Sequence, residues 1–265
     1  MSAGVAVTIA SLLVPAPAHA WEMRVCADFN RMPLSHDTRR GYEVAIAEVI
    51  ADELGAELTI EYWPARDVLI NNALRPGDCD VVMGAGGDGT LLETFAYYRS
   101  PFVFIYRADE DYDIFTFDDP ILRDLRIGVQ PVYGPTHQSL LRRRIDTEHI
   151  TGFDFVGGAD DPLAPAIEAV ANNEIDVALM WGPAAGYYAA LQDVELIVQP
   201  VPPFEPPFIP MYVNVSIGVR LGDEALRDAI DIALANRWDD IYAILAEFNV
   251  PTMQLARPTL TIDVP

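Results

Sequence analysis

A glycine-rich segment that follows an apolar run is the part of the sequence best suited to binding another molecule. Residues 81–83 are Val, Val and Met, a short apolar run that predicts a buried strand. Residues 84–87, Gly-Ala-Gly-Gly, place almost no side chain between the backbone and the space beyond. We therefore expect this strand to end at a crevice. Residues 84–89 partly match a dinucleotide-binding loop, but no acidic partner follows a next strand, so no nucleotide site is predicted.

Residue types that carry out catalysis or bind metals are not arranged for either purpose. The four histidines are His19, His36, His137 and His149, and none shows H-E-x-x-H or Cys/His metal spacing. His137 lies two residues from Ser139, without an elbow motif or the third group of a triad. The acidic residues 109–113 lack the spacing of a calcium loop and are expected to form a solvated connector. We predict no catalytic residue, no metal and no cofactor.

Aromatic and polar side chains near predicted strand ends are candidates for lining the crevice. Trp63 and Trp181 stand out because each follows a strand end. The full candidate set is Asp28, Phe29, Asn30, Met32, Trp63, Arg66, Gly84, Ala85, Gly86, Tyr98, Arg99, Gln130, Tyr133, Thr136 and Trp181. Aromatic, Met and Arg side chains are enriched where proteins bind proteins, so this set favours a protein segment as the occupant. The alternative is that several of them pack the interior, as we expect for Tyr97, Tyr187 and Tyr188.

Alternating strand and helix patterns position these residues. Strands are predicted at 22–27, 58–62, 80–84, 102–106, 126–129, 152–156, 176–180, 195–199 and 211–220. Helices are predicted at 41–54, 68–74, 137–144, 163–172, 184–191, 223–237 and 239–248, with short ones after residue 87 and before Leu125. The proline-rich residues 200–210 are predicted to be a loop beside the crevice.

This order predicts an α/β fold of two lobes, each a mostly parallel sheet flanked by helices. Lobe 1 is expected to comprise residues 21–106 and 211–265, and lobe 2 residues 107–210. Residues 175–188 repeat the pattern of the glycine-rich segment, with an acidic residue, an apolar strand, a small-residue turn and a tyrosine pair. Two similar strand ends indicate two similar lobes, and two crossings between them form a hinge.

The first 20 residues and the overall charge bear on location and partners. Residues 1–20 are apolar and end in an A-x-A-like site, so they predict a secretory signal peptide, although no Lys or Arg precedes Arg24. The alternative is a buried N-terminal helix. The net charge of −23 repels nucleic acid and anionic membrane and attracts basic proteins, or simply keeps the chain soluble. We expect an exported monomer without a membrane span.

Two cysteines, Cys26 and Cys79, follow the predicted signal peptide. An oxidising compartment favours a disulfide between them. Their predicted register works against it, because Cys26 falls late in one strand and Cys79 just ahead of the next. That offset brings the Cα separation near the limit of about 7 Å for a bridge. Two buried free thiols are the alternative.

Several short motifs carry a family resemblance. They are RVCADFNRMPLS at 24–35, YWPARDVLINNAL at 62–74, CDVVMG at 79–84, YYRSPFVFIYR at 97–107 and IDVALMWGPAAGYY at 175–188. Together with the element order they resemble the type 2 periplasmic solute-binding fold over the whole chain after residue 20. More specifically, they resemble the quinoprotein-dehydrogenase-associated solute-binding-like proteins, the MoxJ/XoxJ group of methanol oxidation clusters.

Departures from amino-acid-binding members of this fold narrow the function that the resemblance implies. Those proteins carry an arginine just after the strand end that corresponds to residues 84–87, where it binds the ligand carboxylate. No basic residue stands there in this chain, and Trp181 occupies the position of their ammonium-binding carboxylate. Transport of a free amino acid is therefore not expected.

The resemblance implies an exported, non-catalytic accessory protein of a periplasmic PQQ-dependent alcohol dehydrogenase. Its cleft is expected to grip a segment of the dehydrogenase or of its cytochrome c. The alternative is an importer subunit for a small polar or aromatic solute. Dehydratases are also built on this fold, and there Asp28 would serve as acid or base.

Overall fold

The computed structural model describes residues 21–64, 66–87, 89–154 and 161–259, and the predicted signal peptide at 1–20 lies outside the described residues. The first elements are β1 (Glu22–Asp28), β2 (Asn30–Arg31), β3 (Ser35–His36), α1 (Tyr42–Leu54), β4 (Glu57–Trp63), α2 (Arg66–Leu69), β5 (Val81–Ala85), β6 (Leu92–Glu93) and β7 (Tyr98–Arg107). Helix α1 ends as predicted at Gly55, whose φ of 64° is a conformation that favours glycine.

The second part of the chain begins with a 3₁₀ turn at Pro120–Arg123, where a short helix was predicted. Its elements are β8 (Ile127–Val129), α3 (Pro135–Arg142), β9 (Ile150–Gly152), α4 (Pro165–Ala171), β10 (Val177–Trp181), α5 (Gly182–Ala189), β11 (Leu196–Pro200), β12 (Phe204–Glu205), β13 (Ile209–Pro210), β14 (Tyr212–Val219), α6 (Glu224–Asn236) and α7 (Trp238–Glu247). No helix of the described residues is long and apolar enough to cross a membrane.

The large sheet runs in the order β4-β1-β5-β14-β7-β10-β8-β9, with β6 on β14 and β11 on β7. Its outer strands are parallel, β4-β1-β5 in one lobe and β10-β8-β9 in the other. The central strands β14 and β7 are antiparallel to their neighbours. The predicted two-lobed α/β fold is therefore confirmed, with parallel strands outside and antiparallel strands at the middle.

Strand β7 passes from one lobe to the other. Its first residues, Tyr98 to Pro101, pair with β14, and from Phe102 onward it pairs with β10 and β11. The strand thus changes partners between Pro101 and Phe102, five residues before the end of the predicted lobe 1 segment. The bounds of the lobes along the chain stay a prediction.

Buried strands place alternate side chains in different hydrophobic clusters. In β5, Val81 and Met83 join the main cluster, whereas Val82 and Ala85 join a second one around the cysteines. In β7, Val103 and Ile105 belong to the main cluster, whereas Phe104 between them belongs to a third cluster in lobe 2. Both faces of these strands are covered, as their continuous apolar runs predict. Helices α6 and α7 pack on α1, so the end of the chain returns to lobe 1.

The same ion pair opens corresponding strands in the two lobes. Arg24 in β1 and Asp80 just before β5 are joined by two side-chain hydrogen bonds of 2.7 and 2.9 Å. Arg126 just before β8 and Asp176 just before β10 repeat this pairing, with a shortest contact of 2.6 Å. Burial opposes ionisation of each carboxylate, but the hydrogen bonds from arginine prevail and lower the pKa of both. The predicted likeness of the two strand ends extends to their starting residues.

Two local predictions are wrong. The segment after Gly87 forms β6 instead of a short helix, because its backbone pairs with Gly218 and Val219 of β14. The proline-rich loop contains a hairpin in which β12 pairs with β13. Residues 206 and 207, both proline, fall in its turn, where no ladder N–H is required. The partner of β6 is distant in the sequence, and the β12–β13 hairpin is irregular. Local sequence patterns therefore predict neither pairing.

Cys26 and Cys79 form a disulfide with a Cα–Cα distance of 5.6 Å and a sequence separation of 53 residues. The pairing follows the first of the two alternatives, and the concern about register was wrong. The predicted offset is present, since Cys26 pairs across the sheet with Val82, three residues beyond Cys79, but the two Cα atoms still lie within bridging distance. Both cysteines are buried in the cluster that includes Leu74 and Leu91.

Removing the bridge should destabilise the protein. On the chain-entropy account, closing a loop of this length is worth about 4 kcal/mol, and we expect the C26A/C79A double variant to lose about that much free energy of unfolding in urea. Reduction of the wild-type protein should give a similar loss. Alkylation without reductant followed by mass spectrometry provides the direct check, and labelling of both cysteines in the exported protein would contradict the pairing.

Candidate binding cleft

A cavity lies where the carboxyl ends of strands from both lobes meet. It has a volume of about 240 Å³ and is lined by Arg31, Leu34, Glu43, Gly84, Gly86, Trp181 and Val213. Residues from β2, α1 and the end of β5 form one wall, and the end of β10 with β14 forms the other. We call this cavity the cleft. Three predicted site residues, Gly84, Gly86 and Trp181, are brought together in it.

The glycine-rich end of β5 leaves the floor of the cleft open. Gly84 has a φ of 69°, a backbone conformation that disfavours other residues. Gly86 is exposed, and a Cβ added to it would meet no atom within 4 Å. Ala85 between them turns inward and is buried in the cluster around the cysteines. Two of the three small residues therefore face the cleft, and the third packs the interior.

Trp181 ends β10 and immediately precedes α5. Its ring is half-buried and packs against the main cluster and the lobe 2 cluster while lining the cleft. Its Nε1 is buried, and among the described residues it has no hydrogen-bond partner. A buried indole N–H normally finds an acceptor, so this atom is an unsatisfied donor beside the cleft.

Charged residues of the segment between β1 and α1 form part of the cleft wall. Arg31 lies in β2, and Glu43 lies in the first turn of α1 and is buried. A carboxylate is favoured at that position by the helix N-terminus. Neither residue was predicted to line the cleft, and the same is true of Leu34 and Val213. The motif around residues 28–35 was recognised, but which of its side chains face the cleft depends on how it folds onto α1.

Asp28 lies behind this wall at the end of β1. It lines a small space of about 20 Å³ that shares Arg31, Leu34 and Glu43 with the cleft. Its Oδ1 accepts a hydrogen bond of 3.3 Å from the Asn30 backbone N–H, whereas Oδ2 has no partner among the described residues. Burial raises the pKa of this carboxyl, against the lowering effect of its hydrogen bond and of Arg31. Asp28 therefore borders the cleft indirectly.

The loop after Asp28 makes a contact between the two lobes. Met32, predicted to line the crevice, is buried, and so is Leu34. The Tyr188 hydroxyl of α5 lies 3.2 Å from the Met32 carbonyl oxygen and 3.1 Å from Asp161 Oδ1. Met32 thus contacts lobe 2, and Tyr188, expected in the core, is buried and at the same time bridges between lobes.

Other predicted site residues of lobe 1 lie away from the cleft. Tyr98 is in the core, where its hydroxyl lies 2.8 Å from that of Tyr42, and burial raises the pKa of both phenols well above the usual range. Trp63 packs on the cluster around the cysteines. Arg99 stacks on the Tyr212 ring at 4.4 Å and donates to Asn214 at 2.7 Å. In each case, contacts within the protein hold a side chain that was expected to line the cleft.

The remaining candidates are dispersed. Gln130 and Thr136 are buried in lobe 2, and Gln130 Nε2 donates to the Pro162 carbonyl at 3.4 Å. Tyr133 is exposed and stacks beside His137. Phe29 and Asn30 continue the chain from β1, where the Phe29 N–H donates to the Trp63 carbonyl at 3.1 Å. Arg66 begins α2. Phe29, Asn30, Gln130, Tyr133 and Thr136 do not line the cleft. The residues that the structure describes hold no group of three or more metal-binding side chains.

Replacing Asp28 by asparagine should stabilise the protein at neutral pH. Because its folded-state pKa is raised above the ordinary value of 3.8, this carboxyl costs stability as the pH rises through the raised value, and the cost vanishes below the ordinary value. Urea unfolding of D28N and wild type should therefore differ most at pH 7 and converge toward pH 4.

The exposed Asp124 offers the matched control, since D124N removes a charge without relieving burial. A D28N protein that is less stable than wild type by the same amount at both pH values would show that the carboxylate makes a required contact.

Several known proteins resemble this chain over most of its length. Protein MoxJ of Methylorubrum extorquens is 30% identical over 253 residues, which cover 89% of this chain and 83% of that protein. The crystal structure of the periplasmic binding protein XoxJ from Methylobacterium extorquens AM1 shares 32% identity and a TM-score of 0.75 over 88% of this chain and 100% of its own. MxaJ from Methlophaga aminisulfidivorans MPT shares 27% identity and a TM-score of 0.77 over 87% of this chain and 100% of its own.

No protein-family model matches the chain. The similarity to MoxJ and XoxJ nevertheless covers 89% and 88% of this chain. The resemblance inferred from short motifs is thereby confirmed. The chain belongs to the MoxJ/XoxJ group of proteins, which have a periplasmic binding protein fold.

Proposed function

We propose that this protein is an exported, non-catalytic accessory factor of a periplasmic PQQ-dependent alcohol dehydrogenase, and that its cleft grips a segment of the dehydrogenase or of its cytochrome c. Membership of the MoxJ/XoxJ group supports the link to methanol oxidation. A relative that is described as a periplasmic binding protein supports the periplasm as its location. The signal peptide at residues 1–20 and the lobes at 21–106 with 211–265 and at 107–210 belong to the same proposal.

The observation that carries the proposal is the position of Trp181. A large aromatic ring lines the cleft from lobe 2, and its buried N–H has no acceptor among the described residues. A peptide carbonyl is an acceptor that every protein segment offers. Tryptophan is also among the residues most often found as anchors at the centre of protein interfaces.

The size and lining of the cleft favour a protein side chain over a free solute. Its volume of about 240 Å³ lies below the range of about 300–1,000 Å³ that is typical of pockets for small molecules. The walls combine apolar Leu34 and Val213 with the charged Arg31 and Glu43. Such a mixture matches an interface, where an apolar centre is bordered by polar groups.

The overall charge supports a basic partner. At −23 the chain generates a field that accelerates encounter with positively charged proteins and weakens as salt is added. None of the cleft residues forms a nucleophile–base pair, and the cleft lining contains neither serine, cysteine nor histidine. This lining supports a binding role for the cleft.

Filling the cleft should block the partner without harming the fold. Because a Cβ added at Gly86 meets no atom within 4 Å and Gly86 lines the cleft, G86F is expected to melt at the wild-type temperature and to project its ring into the cleft. Pull-down of the purified dehydrogenase and of the cytochrome should then fail, whereas the smaller G86A should bind as wild type. Full capture of both proteins by G86F would place their binding site elsewhere and reopen the importer alternative.

Removing the Trp181 ring should weaken binding of the partner protein. Truncation of a tryptophan anchor typically costs about 2 kcal/mol, so W181A should bind the dehydrogenase or cytochrome about thirtyfold more weakly. Because the ring also packs against two clusters, W181F separates the roles by keeping packing while losing the N–H donor.

Calorimetric titration paired with a melting curve measures both effects. The exposed Trp21 provides the control, and W21A should leave affinity unchanged. A large loss of stability in W181A accompanied by unchanged affinity in W181F would assign Trp181 to the core alone.

A further inference from the structure

The hairpin β12–β13, with the turn between its strands, presents two phenylalanines to solvent. Phe208 in the turn is 89% exposed and Phe204 in β12 is 52% exposed. Residues 204–208 by themselves line a surface pocket of about 290 Å³. Large aromatic side chains are usually buried, and an exposed cluster of them marks a contact surface. We call residues 204–210 the aromatic hairpin.

Ionic and backbone contacts hold the aromatic hairpin firmly at its base. Glu205 is buried and forms an ion pair of 2.6 Å with Arg143 of the segment after α3. Arg143 also binds Asp118 at 2.7 Å, and Arg142 donates to the Pro206 carbonyl at 3.2 Å. The exposed rings are therefore mounted on a fixed support, so a partner that binds them does not have to order a loose loop.

The backbone of Phe208 is itself unusual. Its φ of 130° lies in a region that side chains rarely occupy, and its N–H donates to the Glu205 carbonyl at 2.8 Å. A strained conformation of this kind persists only where the surroundings impose it, and such positions cluster at functional sites. Here the strained residue is also the most exposed large apolar side chain of the hairpin.

The aromatic hairpin stands apart from the cleft. It contacts the central sheet through Phe204, whose ring meets that of Tyr212 edge to face at 5.7 Å. Val213, the next residue of β14, lines the cleft. Successive side chains of a strand point to opposite faces. A molecule held in the cleft therefore leaves the hairpin accessible.

We infer that the aromatic hairpin is a second docking surface, for a positively charged protein that accepts Phe208 in an apolar pocket. The net charge of −23 opposes both a second copy of this chain and an anionic membrane as occupant. Glu205 is already paired with Arg143, so the attraction comes from the field of the whole chain and the tip supplies the apolar anchor. For the identity of the partner this inference rests on the proposed function.

Binding kinetics with purified dehydrogenase and cytochrome c, each immobilised separately, test the inference. F208A should melt as wild type because this residue is 89% exposed, and it should dissociate from the more basic of the two proteins about thirtyfold faster. Its association rate should stay near that of wild type and fall with added salt in both. F204A/F208A should bind still more weakly.

The control is Leu221, which is 71% exposed. It lies past the far end of β14, a strand that extends about 25 Å from Tyr212 beside the hairpin. L221A should bind as wild type. Wild-type kinetics for F208A and F204A/F208A, an equal loss in L221A, or self-association that depends on Phe208 would each overturn the inference. Because G86F and W181A probe the cleft, a loss in those variants with none in F208A rejects the hairpin alone, whereas the reverse rejects the cleft as the partner site.

Discussion

Backbone hydrogen bonds between β7 and β14 are the constraint on which the rest of the structure depends. Residues Tyr98 to Pro101 of β7 pair with Tyr212 to Val215 of β14, and these two strands separate the parallel sheet of one lobe from that of the other. Arg99 reinforces the pair by contacting Tyr212 and Asn214 on the neighbouring strand. The Ser100 hydroxyl adds a bond of 2.6 Å to the Pro251 carbonyl beyond α7. Movement of one lobe against the other has to bend around this central pair.

The cleft follows from that arrangement. Parallel strands on either side of the central pair direct their carboxyl ends toward one another, so Gly84 and Gly86 face Trp181 across a short gap. Open sheets of this kind place their ligands outside the carboxyl ends of the strands. Arg31 and Glu43 then give the gap a charged wall, while the disulfide ties β1 to the start of β5 beneath it. The lobe 1 wall is therefore preorganised.

Most of the elements could be predicted from sequence because each has a local cause. Continuous apolar runs of β5 and β10 reflect burial on both faces, and Gly55 marks the end of α1 by its backbone conformation. Segments with distant partners could not, since β6 depends on β14, more than 120 residues later. The same holds for the cleft. Trp181 was found from its place at a strand end, whereas Arg31 and Glu43 reach the cleft only through the fold of the segment before α1.

Tyr188 links the two lobes with a polar contact that exists only while they are together. Its hydroxyl lies within hydrogen-bond distance of two acceptors, the Met32 carbonyl and Asp161 Oδ1, and separating the lobes removes the first and leaves the second. A net contribution of about 0.5–1.5 kcal/mol shifts the ratio of closed to open molecules by roughly twofold to tenfold. A partner that enters between the lobes competes with this contact, so its measured affinity includes the free energy of releasing the tyrosine.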